Sequence, residues 1–366
     1  MAAFLMAVSG TKAADNDILI GEYGSLTGST ATFGQSTHKG IELAVDEVNA
    51  AGGVLGRKVR LITEDDAGKP EQAVNAVLKL IQLERVVAVL GEVASSRSMA
   101  AAPICQQNKI PMISPSSTNP DVTKKGDYIF RACFIDPFQG DVMARFVYNT
   151  LKVRTAAILT DRKNDYSVGL ARFFKEKFTA LGGKIVADES YQADDKEFKP
   201  QLTNIRAAKP DTIFVPGYYT ECALIARQAR ELGIIVPLTG GDGWDSDVTV
   251  KNGGKAVEGC YFSTHYHRGD PRPEVQTFVK KFREKYGEVP DSMAVTGYDA
   301  ANILFDSIRR AGKVDSTAIR DQIAQTTDFL GVSGKISIDA DRNARKNLVV
   351  IKIENGEFKF ADLVSP

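Results

Sequence analysis

Net charge is missing from this chain: its 366 residues carry 46 basic and 46 acidic side chains. Such a balance offers no electrostatic handle for nucleic acid or an anionic membrane. Long apolar runs are missing too, so no segment reads as a membrane-spanning helix. Histidine is scarce, with only His38, His265 and His267. His265 and His267 would share one strand face, but two ligands do not make a metal site. The four cysteines, Cys105, Cys133, Cys222 and Cys260, contain no C-x-x-C pair, which argues against zinc or dithiol chemistry. Buried free thiols are the expectation, with one disulfide left open as an alternative. Catalytic signatures are missing as well. There is no G-x-S-x-G elbow, and no Gly-Lys pair is followed by Ser or Thr. Asp339-x-Asp341-x-Asn343 imitates the start of a calcium loop, but Ala344 replaces its glycine and Val350 its bidentate glutamate. These absences point to a protein that is not an enzyme and needs no cofactor or metal.

What is present is a repeated alternation of strand and helix signals. The length suits two domains. Ile18 to Gly21 reads as strand, His38 to Asn49 as helix, Val59 to Ile62 as strand and Pro70 to Leu83 as helix. Val86 to Leu90 and Ile110 to Ile113 follow as strands. The pattern recurs with strands at Ala156–Leu159, Ile185–Ala187 and Thr212–Val215. Helices there run Gly169–Leu181, Phe198–Lys209 and Glu221–Leu232. Two longer helices, Glu274–Tyr286 and Ser292–Ala311, precede a C-terminal hairpin centred on Asn355-Gly356. Repeated βαβ units predict parallel sheets covered by helices on both faces. No loose linker separates the halves, as expected of hinged bodies that share crossing strands.

Two hydroxyl clusters follow apolar strands: Ser95-Ser96-Arg97-Ser98 after Val86–Leu90, and Ser116-Ser117-Thr118 after Ile110–Ile113. The first opens a helix predicted over Ser98–Lys109. A helix start at the C-terminal end of a strand presents backbone N–H groups that suit an anion, here a small carboxylate. Simple helix capping by Ser95 and Ser96 is the alternative. Residues 1–16 resemble the apolar core and cleavage zone of a secretory signal peptide without its basic start; an ordinary disordered terminus is the alternative.

With these clusters in view, further segments become recognisable. They are Gly24-Ser25-Leu26-Thr27-Gly28, Phe33-Gly34, Gly40, Asn49 to Gly56, Asp65-Asp66, Gln72-Ala73, Ile113 to Pro120, Phe130-Arg131, Gln139-Gly140, Asp165 to Gly169 and Gly240 to Trp244. Together they resemble the branched-chain amino-acid-binding members of the type I periplasmic solute-binding proteins, over roughly residues 17–366. The resemblance implies two Rossmann-like α/β lobes with parallel sheets, joined by three crossing segments. The lobes would be 17–136 plus 266–338 and 137–265 plus 339–366. It implies an exported, periplasmic or extracytoplasmic monomer that hands an amino acid to the membrane permease of an ABC importer. Ligand would sit at the C-terminal ends of the strands.

The resemblance also assigns roles. Ser95, Ser116 and Thr118 would hold the ligand carboxylate. The Ser116 carbonyl and Thr118 hydroxyl would meet the ammonium, completed by Asp242, where leucine binders often carry Glu. Phe33, Tyr166 and Tyr218 would shape the cleft. Trp244, directly beside the Asp242 turn, is expected to face the cleft, although a lone Trp is commonly core. Glu221 is a second acidic candidate, with a carboxylate at a helix N-terminus as its alternative reading. Arg97 would pair with a distal acid of a larger ligand or lie solvated. A binder of aromatic or other small carboxylic acids, and an amide or amino-acid sensor of the same fold, are the competing functions.

Overall fold

The computed structural model describes residues 16–366; the expected signal segment falls almost wholly outside them. The chain opens with β1 (Ile18–Gly24), α1 (Ala31–Ala50), β2 (Val59–Asp65), α2 (Pro70–Gln82), β3 (Ala88–Leu90), α3 (Ser95–Asn108), β4 (Met112–Ser114) and β5 (Ile129–Arg131). These strands form a fully parallel five-stranded sheet in the order β2-β1-β3-β4-β5. Buried β-branched and aliphatic residues such as Ile18, Ile20, Ala88, Leu90 and Ile113 make its core with α1.

The chain then crosses to a second sheet. Its path runs α4 (Asp136–Arg145), β6 (Thr155–Asp161), α5 (Asp165–Ala180), β7 (Lys184–Tyr191), α6 (Lys199–Ala208), β8 (Thr212–Val215), α7 (Tyr219–Glu231), β9 (Leu238–Gly240), α8 (Asp247–Gly253) and β10 (Tyr261–Thr264). A second crossing leads to α9 (Pro273–Tyr286), α10 (Ser292–Ala311), α11 (Ser316–Ala324), β11 (Phe329–Gly331), β12 (Gly334–Ile338) and β13 (Ala344–Arg345). The third crossing delivers β14 (Leu348–Glu354) and β15 (Glu357–Val364) to the second sheet, ordered β15-β14-β10-β9-β8-β6-β7. Strand β14 is antiparallel to both β10 and β15, so this sheet is mixed at one edge. The result is two α/β lobes joined by three crossing segments.

The expected boundary at 338/339 falls too early. β13 pairs with β12, Ala344 packs in the first lobe's core, and the Arg342 carbonyl accepts from Arg131 N. Residues 339–345 thus stay with the first lobe. Their Asp-x-Asp-x-Asn spacing serves a turn in which Asp339 Oδ1 accepts from the backbone N–H groups of Asp341 and Asn343. Helices α1 and α10 approach closely through glycine: a Cβ on Gly40 would lie 2.0 Å from the Ala294 carbonyl oxygen. All four cysteines are buried free thiols.

Candidate functional site

The two hydroxyl clusters meet beyond the ends of β3 and β4. Ser98 Oγ and Ser117 Oγ lie 2.8 Å apart, and Ser114 Oγ donates to the Glu92 carbonyl at 2.7 Å. Helix α3 begins at Ser95, three residues earlier than its apolar pattern suggests, so Ser95 and Ser96 occupy its first turn instead of capping it. No side chain caps that end. Ser95 Oγ accepts from Asn119 N at 3.1 Å, tying the clusters together. The first-turn amides of α3 have no intrahelical acceptors, which leaves a positive end beside the cleft.

A small, partly open cavity of about 10 Å³ lies between the lobes at the C-terminal ends of the strands. The first lobe supplies Phe33, Val93, Ser95, Ser116, Thr118 and Met293; the second supplies Tyr166, Tyr218, Asp242 and Gly243. A larger, open depression lined by Arg154, Asp211, Ile235 and Tyr261 sits at the opposite ends of the second sheet's strands and lacks this convergence of polar groups. The lobes touch around the cavity. Ser96 Oγ accepts from Asp165 N at 3.1 Å, Asn119 Nδ2 donates to the Asp165 carbonyl at 2.8 Å, and Tyr219 Oη donates to the Ser29 carbonyl at 3.0 Å.

Asp242 follows β9 in a tight turn and is 3 % exposed. Its backbone N–H donates to Gln139 Oε1 at 2.8 Å, an oxygen that also accepts from Ser263 Oγ at 2.7 Å. Carboxylate oxygen Oδ2 lies 3.1 Å from His265 Nε2. The other oxygen, Oδ1, is buried with no hydrogen-bond partner among the described residues, as is Thr118 Oγ1. A buried polar atom without a partner is costly, so two of them on one cavity mark where a ligand's polar groups fit. Asp136, at the foot of the first crossing, is also buried. Burial pushes its carboxyl up to about 8; the Thr118 hydroxyl close by favours its charged form, though outside hydrogen-bond geometry. Its backbone N–H donates to the Thr118 carbonyl at 2.9 Å.

The aromatic walls are ordered by mutual packing. Tyr166 and Tyr218 stack with ring planes 3° apart and centroids 5.5 Å apart, and Phe33 meets Tyr218 edge-on at 5.6 Å. Tyr166 Oη accepts from Gly243 N at 3.1 Å. A Cβ on Gly243 would approach the Gly217 carbonyl to 2.4 Å, so this turn requires glycine.

Seven of the nine residues singled out in the sequence come together here; Trp244 and Glu221 do not. Trp244 is fully buried in the second lobe's core, where Nε1 donates to the Val215 carbonyl at 2.8 Å. Its indole fills the space beside Gly240 instead of facing the cleft. Glu221 sits in the first turn of α7 and accepts from Asp194 N at 3.4 Å; burial pushes its carboxyl up. It lines an outer recess of the cleft with Arg97 and Asp161, on the far side of Tyr218, which borders both spaces. Arg97 is neither solvated nor turned to the cavity: it pairs with buried Glu92 at 3.0 Å and donates to Thr30 Oγ1 and the Gly68 carbonyl. His265 and His267 have no common partner, because β10 ends at Thr264 and strand alternation stops there. His267 instead contacts the Phe358 carbonyl at 3.3 Å.

Sequence reasoning passed over Val93, Met293, Gln139 and, as a site residue, His265. Val93 lies inside the first hydroxyl motif and could have been read from it. Met293 comes from α10, some 200 positions away, and carried no local signal.

The periplasmic binding protein family matches residues 17–357. An amino-acid-binding protein from Pseudomonas aeruginosa is 33 % identical over 304 residues, covering 82 % of this chain and 80 % of that protein. Among solved structures, a leucine-binding protein LivK from Thermotoga maritima is 41 % identical, with a TM-score of 0.92 over 95 % of this chain and 99 % of that one. The branched-chain amino acid transporter substrate-binding protein LivJ from Streptococcus pneumoniae, in complex with isoleucine, is 34 % identical, with a TM-score of 0.91 over 96 % of this chain and 100 % of that one. A solute-binding protein from R. palustris in complex with benzoate is 25 % identical, with a TM-score of 0.87 over 96 % and 97 %. The two-lobed fold, the interlobe cavity and these matches agree, and the chain belongs to the periplasmic binding protein family, the non-enzymatic solute-binding components of ABC transporters.

Proposed function

We propose that the cleft binds a free aliphatic amino acid of the branched-chain type, which the protein carries outside the cytoplasm to the membrane permease of an ABC importer. One observation carries the reading: the same small cavity has a buried carboxylate oxygen of Asp242, unpartnered among the described residues, on one lobe and the hydroxyls and first-turn amides around Ser95, Ser116 and Thr118 on the other. An amino acid's ammonium complements the first and its carboxylate the second. Phe33, Val93 and Met293 supply an apolar wall for an aliphatic side chain. The isoleucine complex of the related LivJ supports this ligand class.

A second reading, a small aromatic acid, is favoured by the stacked Tyr166–Tyr218 wall and by the benzoate-bound relative. It leaves Asp242 Oδ1 without a cationic partner, so the amino acid is preferred. Mass spectrometry of ligand retained through purification, with calorimetric titration of leucine, isoleucine, valine, phenylalanine and benzoate, tests the choice. Tighter binding of benzoate than of every amino acid would overturn it. Closure of the two lobes around the ligand then presents the surface a permease reads.

A further inference from the structure

We propose that His265 is the positioning residue that sets the polarity of the ligand site, sharing one ring N–H between Asp242 and Ser116 so that one wall of the cavity accepts and the other donates. The inference rests on the amino-acid reading of the cleft. His265 lies on the second crossing segment, directly after β10, and is 1 % exposed. Its Nε2 is 3.1 Å from Asp242 Oδ2 on the second lobe and 3.2 Å from Ser116 Oγ on the first. The ring is clamped against Phe134, centroids 4.1 Å apart.

The tautomer follows from the partners. A carboxylate oxygen only accepts, so Nε2 carries the proton. A nitrogen that carries a proton cannot accept one, so Ser116 Oγ must accept its share of the same N–H. The Ser116 hydroxyl proton is then released toward another acceptor, and a ligand carboxylate is the acceptor the site lacks. At the other end, Asp242 keeps Oδ1 for a cation while Oδ2 is held. Nδ1 is buried with no partner among the described residues; a second proton there would leave an N–H without an acceptor. The other groups that face the ring agree. Burial and the positive charge of Lys346 hold it below the usual imidazole range, against the opposing pull of Asp242. The neutral Nε2–H ring therefore holds an accepting carboxylate on one lobe and a donating hydroxyl on the other, the pattern a zwitterion matches.

Two variants and one spectrum test this. His265→Phe keeps the stack on Phe134 and removes the N–H; His265→Gln keeps a donor near the Nε2 position. Calorimetry would compare leucine with its deaminated analogue, 4-methyl-2-oxopentanoate, in wild type and both variants, with circular dichroism and melting as controls for folding. The expected result is at least a tenfold loss of leucine affinity in His265→Phe, a distinctly smaller loss for the keto acid, which shares the carboxylate contact but not the ammonium contact, and recovery of most leucine affinity in His265→Gln. Equal losses for both ligands, or unchanged leucine affinity, would overturn the proposal. The second arm is 15N NMR of the His265 ring in unliganded protein. A neutral Nε2-protonated ring whose signal shifts on Asp242→Asn supports the assignment, and an Nδ1-protonated ring refutes it. If wild type prefers the keto acid to leucine, the amino-acid reading fails, while the NMR arm still decides the role of His265.

Discussion

Replacing Asp242 with Asn tests the cleft chemistry most directly, because the change keeps the shape of the side chain and removes only its charge. In the closed cleft the carboxylate is 3 % exposed, one oxygen is held by His265 at 3.1 Å and the other has no partner among the described residues. A ligand ammonium placed there forms a desolvated charge pair. Breaking such a pair costs about 2–5 kcal/mol. The lower part of that range applies here, because His265 still donates to the Asn oxygen and the new amide can turn away from the ammonium. A loss of roughly 2–3 kcal/mol corresponds to about 30- to 150-fold in affinity. The unliganded protein should respond in the opposite sense: Asp242→Asn removes a buried charge lacking a full set of partners, so it should melt at or above the wild-type temperature. Calorimetry with leucine, valine and their keto-acid analogues, together with thermal melts, reads both effects. The keto acids lack the ammonium and should lose little affinity. Leucine affinity within threefold of wild type, or keto acids bound more tightly than amino acids by the wild type, would refute the reasoning.

Thr118→Ala and Ser95→Ala should each weaken leucine binding by about 1.5–3 kcal/mol, tenfold or more; Thr118→Ala should leave the melting temperature nearly unchanged, whereas Ser95→Ala should lower it, because the buried Asn119 N–H loses its acceptor, and unchanged calorimetric affinity in both would remove them from the site. Tyr219→Phe deletes the Oη that donates to Ser29 and accepts from Thr32 N at 3.3 Å across the cleft, so X-ray scattering without ligand should show a larger radius of gyration than wild type, with saturating ligand restoring the compact profile. Asp136 holds its proton up to about pH 8 when folded but only to about pH 4 when unfolded, so the folded state binds more protons between those values and stability should fall as pH rises through that window. Asp136→Asn should flatten the pH dependence of the melting temperature there by up to one proton; an unchanged slope would show that Asp136 does not titrate as buried.

The architecture was legible because it is written in local signals. Strands such as Thr212–Val215 are short apolar runs bounded by polar turns, and Asn355-Gly356 marks its hairpin alone. The errors fall where a local pattern is overridden by packing. Helix α3 gains its first turn from Ser95 because Glu92 takes the Ala94 N–H and Asn119 N reaches Ser95 Oγ, contacts that cannot be read from apolar spacing. Trp244 stands in a Gly-rich polar loop that suggests exposure, yet its flat indole is what the side-chain-free Gly240 makes room for. Arg97 looks free in sequence because its partner Glu92 lies five residues back, across a turn that only the fold closes. Site residues from motifs near strand ends were found; Met293, from the start of α10, was not, because its position depends on how the second crossing returns the chain.

The same return explains why binding and hinge are not separate devices here. Each crossing segment carries or adjoins a buried polar group, and at the first two that group bonds the cavity's own residues or their neighbours. Arg131 and Asp136 flank the first, at the end of β5 and the start of α4, with Arg131 donating to the Ser117 carbonyl at 2.5 Å and Asp136 N to the Thr118 carbonyl. His265 lies on the second, joined to Asp242 and Ser116. Lys346 lies on the third; burial pushes its ammonium down to about 8 while Asp299 pulls it back, and it donates to Ser333 Oγ. Buried polar groups hold definite geometries because leaving any of them unpaired is costly. A rotation of the lobes that separated Ser116 from Asp242 would strip His265 of one partner, and a ligand bridging the two walls would hold it in place. Ligand and hinge thus draw on the same few hydrogen bonds, so closure should track occupancy, with no coupling pathway needed beyond the contacts of the cleft floor.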